Sequence, residues 1–165
     1  MNKNKTSIVK DLKAKTILVA REFDAPLSLV WRAYTESELL DQWWGPNPWR
    51  AVTKSMNFEV GGQWLYAMVG PAGEQMWSKM EYTSIEPKTQ IGLLDSFCNE
   101  EGITNHEFPI SEGHFYFTET DKGVLAEFKM NFPSEKDIET LVEMGFETGI
   151  SIGLQQLEEL LNRLK

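Results

Sequence analysis

Few residues of this 165-residue chain are of types that do chemistry, and their spacing limits which chemistry is open to it. There are two histidines and one cysteine. His106 lies in an aperiodic stretch and His114 in a strand pattern. With Cys98 and Glu107 they make no ligand spacing of the kind zinc sites use, so no metal and no other cofactor is expected. Cys98 has no base beside it in sequence and reads as a small buried hydrophobe. The chain has no Gly-x-Ser-x-Gly elbow and no phosphate-cradling glycine loop. Gly61-Gly62 sits between strands with no lysine or helix after it, which makes it a turn. Four acids, Glu81, Asp95, Glu112 and Glu127, fall in strands. Strand carboxylates mostly face water, while one projecting inward would be shifted by burial. No catalytic residue is assigned, and binding is preferred to catalysis.

Binding chemistry is better represented. The chain carries six tryptophans, nine phenylalanines, four tyrosines and seven methionines. Core packing accounts for most of them, yet Tyr and Trp also bring a polar handle to an apolar wall. Strand alternation places Trp64, Tyr66 and Met68 on one face, Met80 with Tyr82, and Phe128 with Met130. His114 alternates with Tyr116 and is a candidate for the same inner face. These faces would suit an apolar ligand with a polar end.

A second group of candidates lies in the last thirty-odd residues. From Ser134 to Lys165 apolar residues recur at helical spacing, behind a capping box of Ser134 and Asp137. Gly145, Gly149 and Gly153 are four apart and leave a bare stripe on the apolar face, with Gln156 on the same stripe. Each mid-helix glycine costs about 1 kcal/mol relative to alanine. Close helix–sheet packing, a cavity lining and a dimer seam all fit the stripe. Ile152, on the same helix face, joins Gly145, Gly149, Gly153 and Gln156 as a candidate ligand contact.

The elements that must position these residues follow from the pattern. Residues 1–15 read as a flexible N-terminal arm and residues 16–165 as one domain. Thr16 to Phe23 is a first strand. Asp24-Ala25-Pro26 starts a short helix with Pro26 at its first position. Thr35 to Glu38 is a second capping box opening another short helix, which Gly45-Pro46-Asn47-Pro48 ends. Strands follow at 51–60, 63–69, 76–86, 91–98, 113–120 and 124–132, with an aperiodic loop at 99–110. The fold class is α+β: an antiparallel sheet of about six to seven strands wrapped on one C-terminal helix, about 45 Å long if unbroken.

Net charge is −9, which argues against a nucleic-acid surface. There is no apolar run long enough for a membrane span and no signal-peptide core, so a cytoplasmic protein is expected. Monomer and homodimer remain equally open.

Several strings resemble a known family. They are Phe23-Asp24-Ala25-Pro26 with Val30-Trp31-Arg32-Ala33, then Trp43-Trp44-Gly45-Pro46, and Val60-Gly61-Gly62-Gln63-Trp64. Gly70-Pro71-Ala72-Gly73-Glu74, Ile85-Glu86-Pro87 and the glycine-bearing helix ending Leu157-Glu158-Glu159-Leu160 continue the series. In this order they are similar to the START-like helix-grip superfamily (SRPBCC). Within it they resemble the branch named for the C-terminal domain of the activator of the ninety-kilodalton heat-shock chaperone's ATPase. The resemblance implies an apolar cavity under the terminal helix but no single function. The first expectation is a small hydrophobic or amphipathic ligand held between that helix and the sheet. The second is a co-chaperone-like partner of a heat-shock chaperone, active in the stress response. The third is a cyclase or hydrolase using the same cavity.

Overall fold

The structure is a computed structural model, which describes residues 5–165. Its elements run β1 (Ser7–Asp11), β2 (Thr16–Phe23), α1 (Leu27–Thr35), α2 (Ser37–Trp43), β3 (Arg50–Met56) and β4 (Gln63–Val69). They continue with β5 (Gln75–Glu86), β6 (Gln90–Cys98), β7 (Ser111–Glu119), β8 (Val124–Asn131), α3 (Glu135–Glu143) and α4 (Phe146–Leu164). The fold is α+β, with eight strands in one sheet in the order β1-β2-β8-β7-β6-β5-β4-β3. Every pairing is antiparallel.

The strand count exceeds the expected six to seven because of β1. Its residues fall within the expected flexible arm, where Lys10 and Asp11 mask any alternation. The strand is nevertheless paired along its length, Ser7 with Ala20 through Asp11 with Thr16. It is an edge strand, and backbone pairing rather than side-chain burial holds it there.

The terminal helix departs from expectation more sharply. Ser134 caps α3 by accepting the Asp137 amide at 3.2 Å, but the helix ends at Glu143. Gly145 takes φ +89°, a left-handed conformation that costs a glycine nothing, and caps a new helix. The second helix, α4, spans 19 residues, or about 28 Å rather than about 45 Å.

Two smaller expectations also change. Glu36 rather than Thr35 caps α2, with no side-chain bond, because the Thr35 hydroxyl donates back to the Trp31 carbonyl at 2.8 Å. Pro26 precedes α1 with extended ψ of 147° rather than opening it.

The core lies between the sheet and the helices. On β2 each second residue is buried, Ile17, Val19, Arg21 and Phe23. Arg21 is the charged member of that row. Its guanidinium donates to Gln155 at 2.9 Å and to Glu158 at 3.0 Å, so it ties the sheet to α4. At the other end Trp43, fully buried, donates its indole N–H to the Ala33 carbonyl at 2.9 Å and locks α2 on α1.

Candidate functional site

Register across the sheet sets the site. Trp64 on β4 pairs with Met80 on β5, Met80 with Asp95 on β6, and Asp95 with Ser111 on β7. The next row is Tyr66, Ser78 and Phe97. Directly paired residues share a face, so these two rows point at the helices. Tyr66, Ser78, Asp95, Phe97 and Ser111 from these rows, with Phe128 and Met130 of β8, wall one side of a chamber of about 180 Å³. Phe146, Gly149 and Ile150 of α4 close it opposite, with Trp44 and Pro46 from the turn after α2. A dry apolar cavity of about 150 Å³ is enough for benzene. An outer, open groove abuts the chamber and shares Pro46, Met68, Phe97 and Gly149 with it. Met76, Met144 and Ile152, all more than a third exposed, lie along the groove.

The chamber has one polar pole. Tyr66 stacks on Trp64 with centroids 4.0 Å apart, and its phenol oxygen accepts the Trp44 indole N–H at 3.0 Å. Burial raises the Tyr66 pKa well above its ordinary value, and Asp95 nearby adds to the rise. Among the described residues Asp95 is the one acid in the wall. Burial pushes its pKa up to about 7.

That shift has a sign that can be checked. The folded state holds the Asp95 proton more tightly than the unfolded chain does. Stability is then highest below the unfolded pKa of about 4 and falls as pH rises toward about 7. Asp95→Asn removes the penalty. Its melting temperature is expected to match wild type near pH 4 and to exceed it at pH 8, as read by circular dichroism. A variant less stable than wild type at pH 8 would refute a desolvated carboxyl.

Gln156 serves the site indirectly. Its amide donates to the carbonyls of Trp43 at 2.9 Å and Gly45 at 2.7 Å, and its oxygen accepts the Asn47 N–H at 2.9 Å. This clamp fixes the turn that carries Trp44 and Pro46 into the chamber wall. Gln156→Ala leaves those backbone groups without their partner and is expected to cost about 1–3 kcal/mol in urea unfolding. A loss under about 0.5 kcal/mol would show the clamp to be dispensable.

Comparison with known proteins fits this architecture. The family described as activator of Hsp90 ATPase homolog 1-like protein matches residues 24–162. The chain belongs to this family. Its fold is that of the START-like helix-grip superfamily. It is similar to a crystal structure of a protein from Mycobacterium smegmatis, 29% identical over 94% of this chain and 96% of that one, with a TM-score of 0.88. A solution structure of a protein from Arthrobacter aurescens is 28% identical over 95% and 91%, with a TM-score of 0.89. Another, from Staphylococcus epidermidis, is 30% identical over 96% and 95%, with a TM-score of 0.83. No curated protein matches the chain. Among the described residues no helix is long and apolar enough to cross a membrane, and no group of three metal-ligating side chains gathers.

Within this family member the expected site residues divide. Tyr66, Met68, Phe128, Met130 and Gly149 line the chamber, and Gly145 and Ile152 line the groove. Trp64, Met80 and Tyr82 point inward but are consumed by packing, each at most 4% exposed. His114 and Tyr116 stack on each other with centroids 5.7 Å apart, on the outer face. Their inner neighbours are Gly113, Phe115 and Phe117, all buried, so the strand has the opposite phase to the one expected. Gly153 packs instead of lining: a Cβ there would sit 3.3 Å from the Trp43 carbonyl. Gln156 is the clamp described above. The sequence reading missed Asp95, Phe97, Ser111, Trp44 and Phe146 as site residues. For Asp95 a signal existed, since it alternates with Ile91, Leu93 and Phe97.

Proposed function

We propose that the chamber binds a small hydrophobic or amphipathic molecule between α4 and the sheet. The observation that carries this reading is an apolar hollow of about 180 Å³ with a single acid in its wall, capped by a helix residue with no side chain. Gly149 is not there for close packing. A Cβ on it would meet only Pro46, at an ordinary 3.6 Å. Burial of apolar ligand surface drives binding at roughly 25 cal/mol per Å² before ordering costs. Asp95 and Tyr66 meet the polar end of the ligand. The groove beside Met68 and Ile152 is the route in. Backbone NMR of the protein titrated with benzyl alcohol, a ring with one polar end, tests this. Shift changes centred on Phe128, Met130, Gly149 and Ile150 support it, and changes scattered over the surface refute it.

One observation favours a catalytic use of the same space. An acid in a cleft with its pKa near neutrality can take and return a proton. Turnover of a cyclisable or hydrolysable substrate, lost in Asp95→Asn with binding kept, would separate catalysis from carriage. The co-chaperone reading rests on the family's name; stimulation of a purified chaperone's ATPase tests it.

A further inference from the structure

We infer that the chamber selects a small organic cation, a ring-sized apolar body bearing a protonated amine that pairs with the Asp95 carboxylate. This rests on the chamber being a ligand site and adds the chemical class of its occupant.

The wall composition argues for it. Among the described residues Asp95 is the one charged side chain lining the chamber, with no lysine, arginine or histidine beside it in the wall. Among the described residues the Asp95 side chain makes no ion pair, and Lys79, on the neighbouring strand opposite Ser96, pairs with Glu81 at 3.5 Å. A carboxylate in an apolar wall without a counter-charge is costly, and a bound cation offsets that cost. Six aromatic side chains share the wall with it, Trp44, Tyr66, Phe97, Phe128, Phe132 and Phe146, among aliphatic residues and the uncharged hydroxyls of Ser78, Ser96 and Ser111. Ring faces attract ammonium groups through their quadrupole, and Trp and Tyr do so most strongly. Aromatic walls around one carboxylate are a chemistry for organic ammonium, and they repel a carboxylate-bearing ligand. The net charge of −9 concentrates cations at the protein surface for the same encounter.

The ionisable groups in electrostatic reach of Asp95 do not compete. Tyr66 on β4 and Cys98 on β6 are both held in their neutral forms by burial. At about pH 8 Asp95 itself is mostly ionised, because its pKa is raised only to about 7.

Three matched probes test the inference by NMR titration of the full chain at about pH 8: benzylamine as cation, benzyl alcohol as neutral ring, benzoate as anion. Benzylamine is expected to bind at least about tenfold more tightly than benzyl alcohol, with benzoate weakest. In Asp95→Asn that preference is expected to fall to about one. Equal binding of amine and alcohol, both lost in Gly149→Leu, overturns charge selection and leaves the chamber as a ligand site. A preference that survives in Asp95→Asn overturns the role of Asp95, as does tighter binding of benzoate. No shift at Phe128, Gly149 or Ile150 with any probe overturns both readings.

Discussion

Gly149→Leu is expected to weaken binding in the proposed chamber and to leave the fold intact. The new Cβ meets Pro46 at 3.6 Å, an ordinary contact. The three carbons beyond it enter the space where the chamber and the outer groove share Gly149 as a wall. Backbone strain does not arise, since Gly149 lies inside α4 and its N–H bonds the Gly145 carbonyl at 3.0 Å. Leucine is the better helix former by somewhat under 1 kcal/mol. Melting is therefore expected at or slightly above the wild-type temperature, while benzyl alcohol affinity drops by at least about tenfold. Unchanged affinity in a folded variant would refute the chamber as the site.

Trp43→Ala is expected to be the most damaging single truncation considered. The ring is fully buried. It packs 5.0 Å from the Tyr34 ring and 5.3 Å from Trp44, and its indole N–H satisfies the Ala33 carbonyl. Its own backbone carbonyl takes Gln156. Removal leaves a cavity and an unpaired carbonyl, at a cost of about 3–5 kcal/mol. For a domain of this size that lowers the melting temperature by roughly 10 °C. Tyr116→Ala, at 37% exposure on the outer face, serves as the control and should stay within about 0.5 kcal/mol. Equal effects of the two variants would mean that the α1–α2 packing does not carry the stability assigned to it.

The elements were legible because their periods are local. Alternation at Trp64, Tyr66 and Met68 gave the correct inner face of β4. The Phe128 and Met130 phase on β8 was also correct. His114 and Tyr116 misled because polar and aromatic residues alternate with Gly113, Phe115 and Phe117, and two aromatic faces compete on one strand. The glycine stripe was legible as unusual but not as three different devices. Gly145 breaks the helix with a positive φ, Gly149 leaves space, and Gly153 packs where an added Cβ would sit 3.3 Å from the Trp43 carbonyl. Spacing alone is the same for all three, and only the partner across the interface tells them apart. Asp95 is the costliest miss. Its alternation with Leu93 and Phe97 was visible, but its rank as the chamber's single acid depends on the pairings Met80–Asp95–Ser111, which are long-range.

The most direct measurement is native mass spectrometry of wild-type protein and Gly149→Leu, each purified from the protein's own host. A discrete small-molecule adduct on wild type, absent from the variant, is the predicted result. An adduct of the same mass on both, or bare protein in both, would contradict a chamber that holds a ligand beneath Gly149.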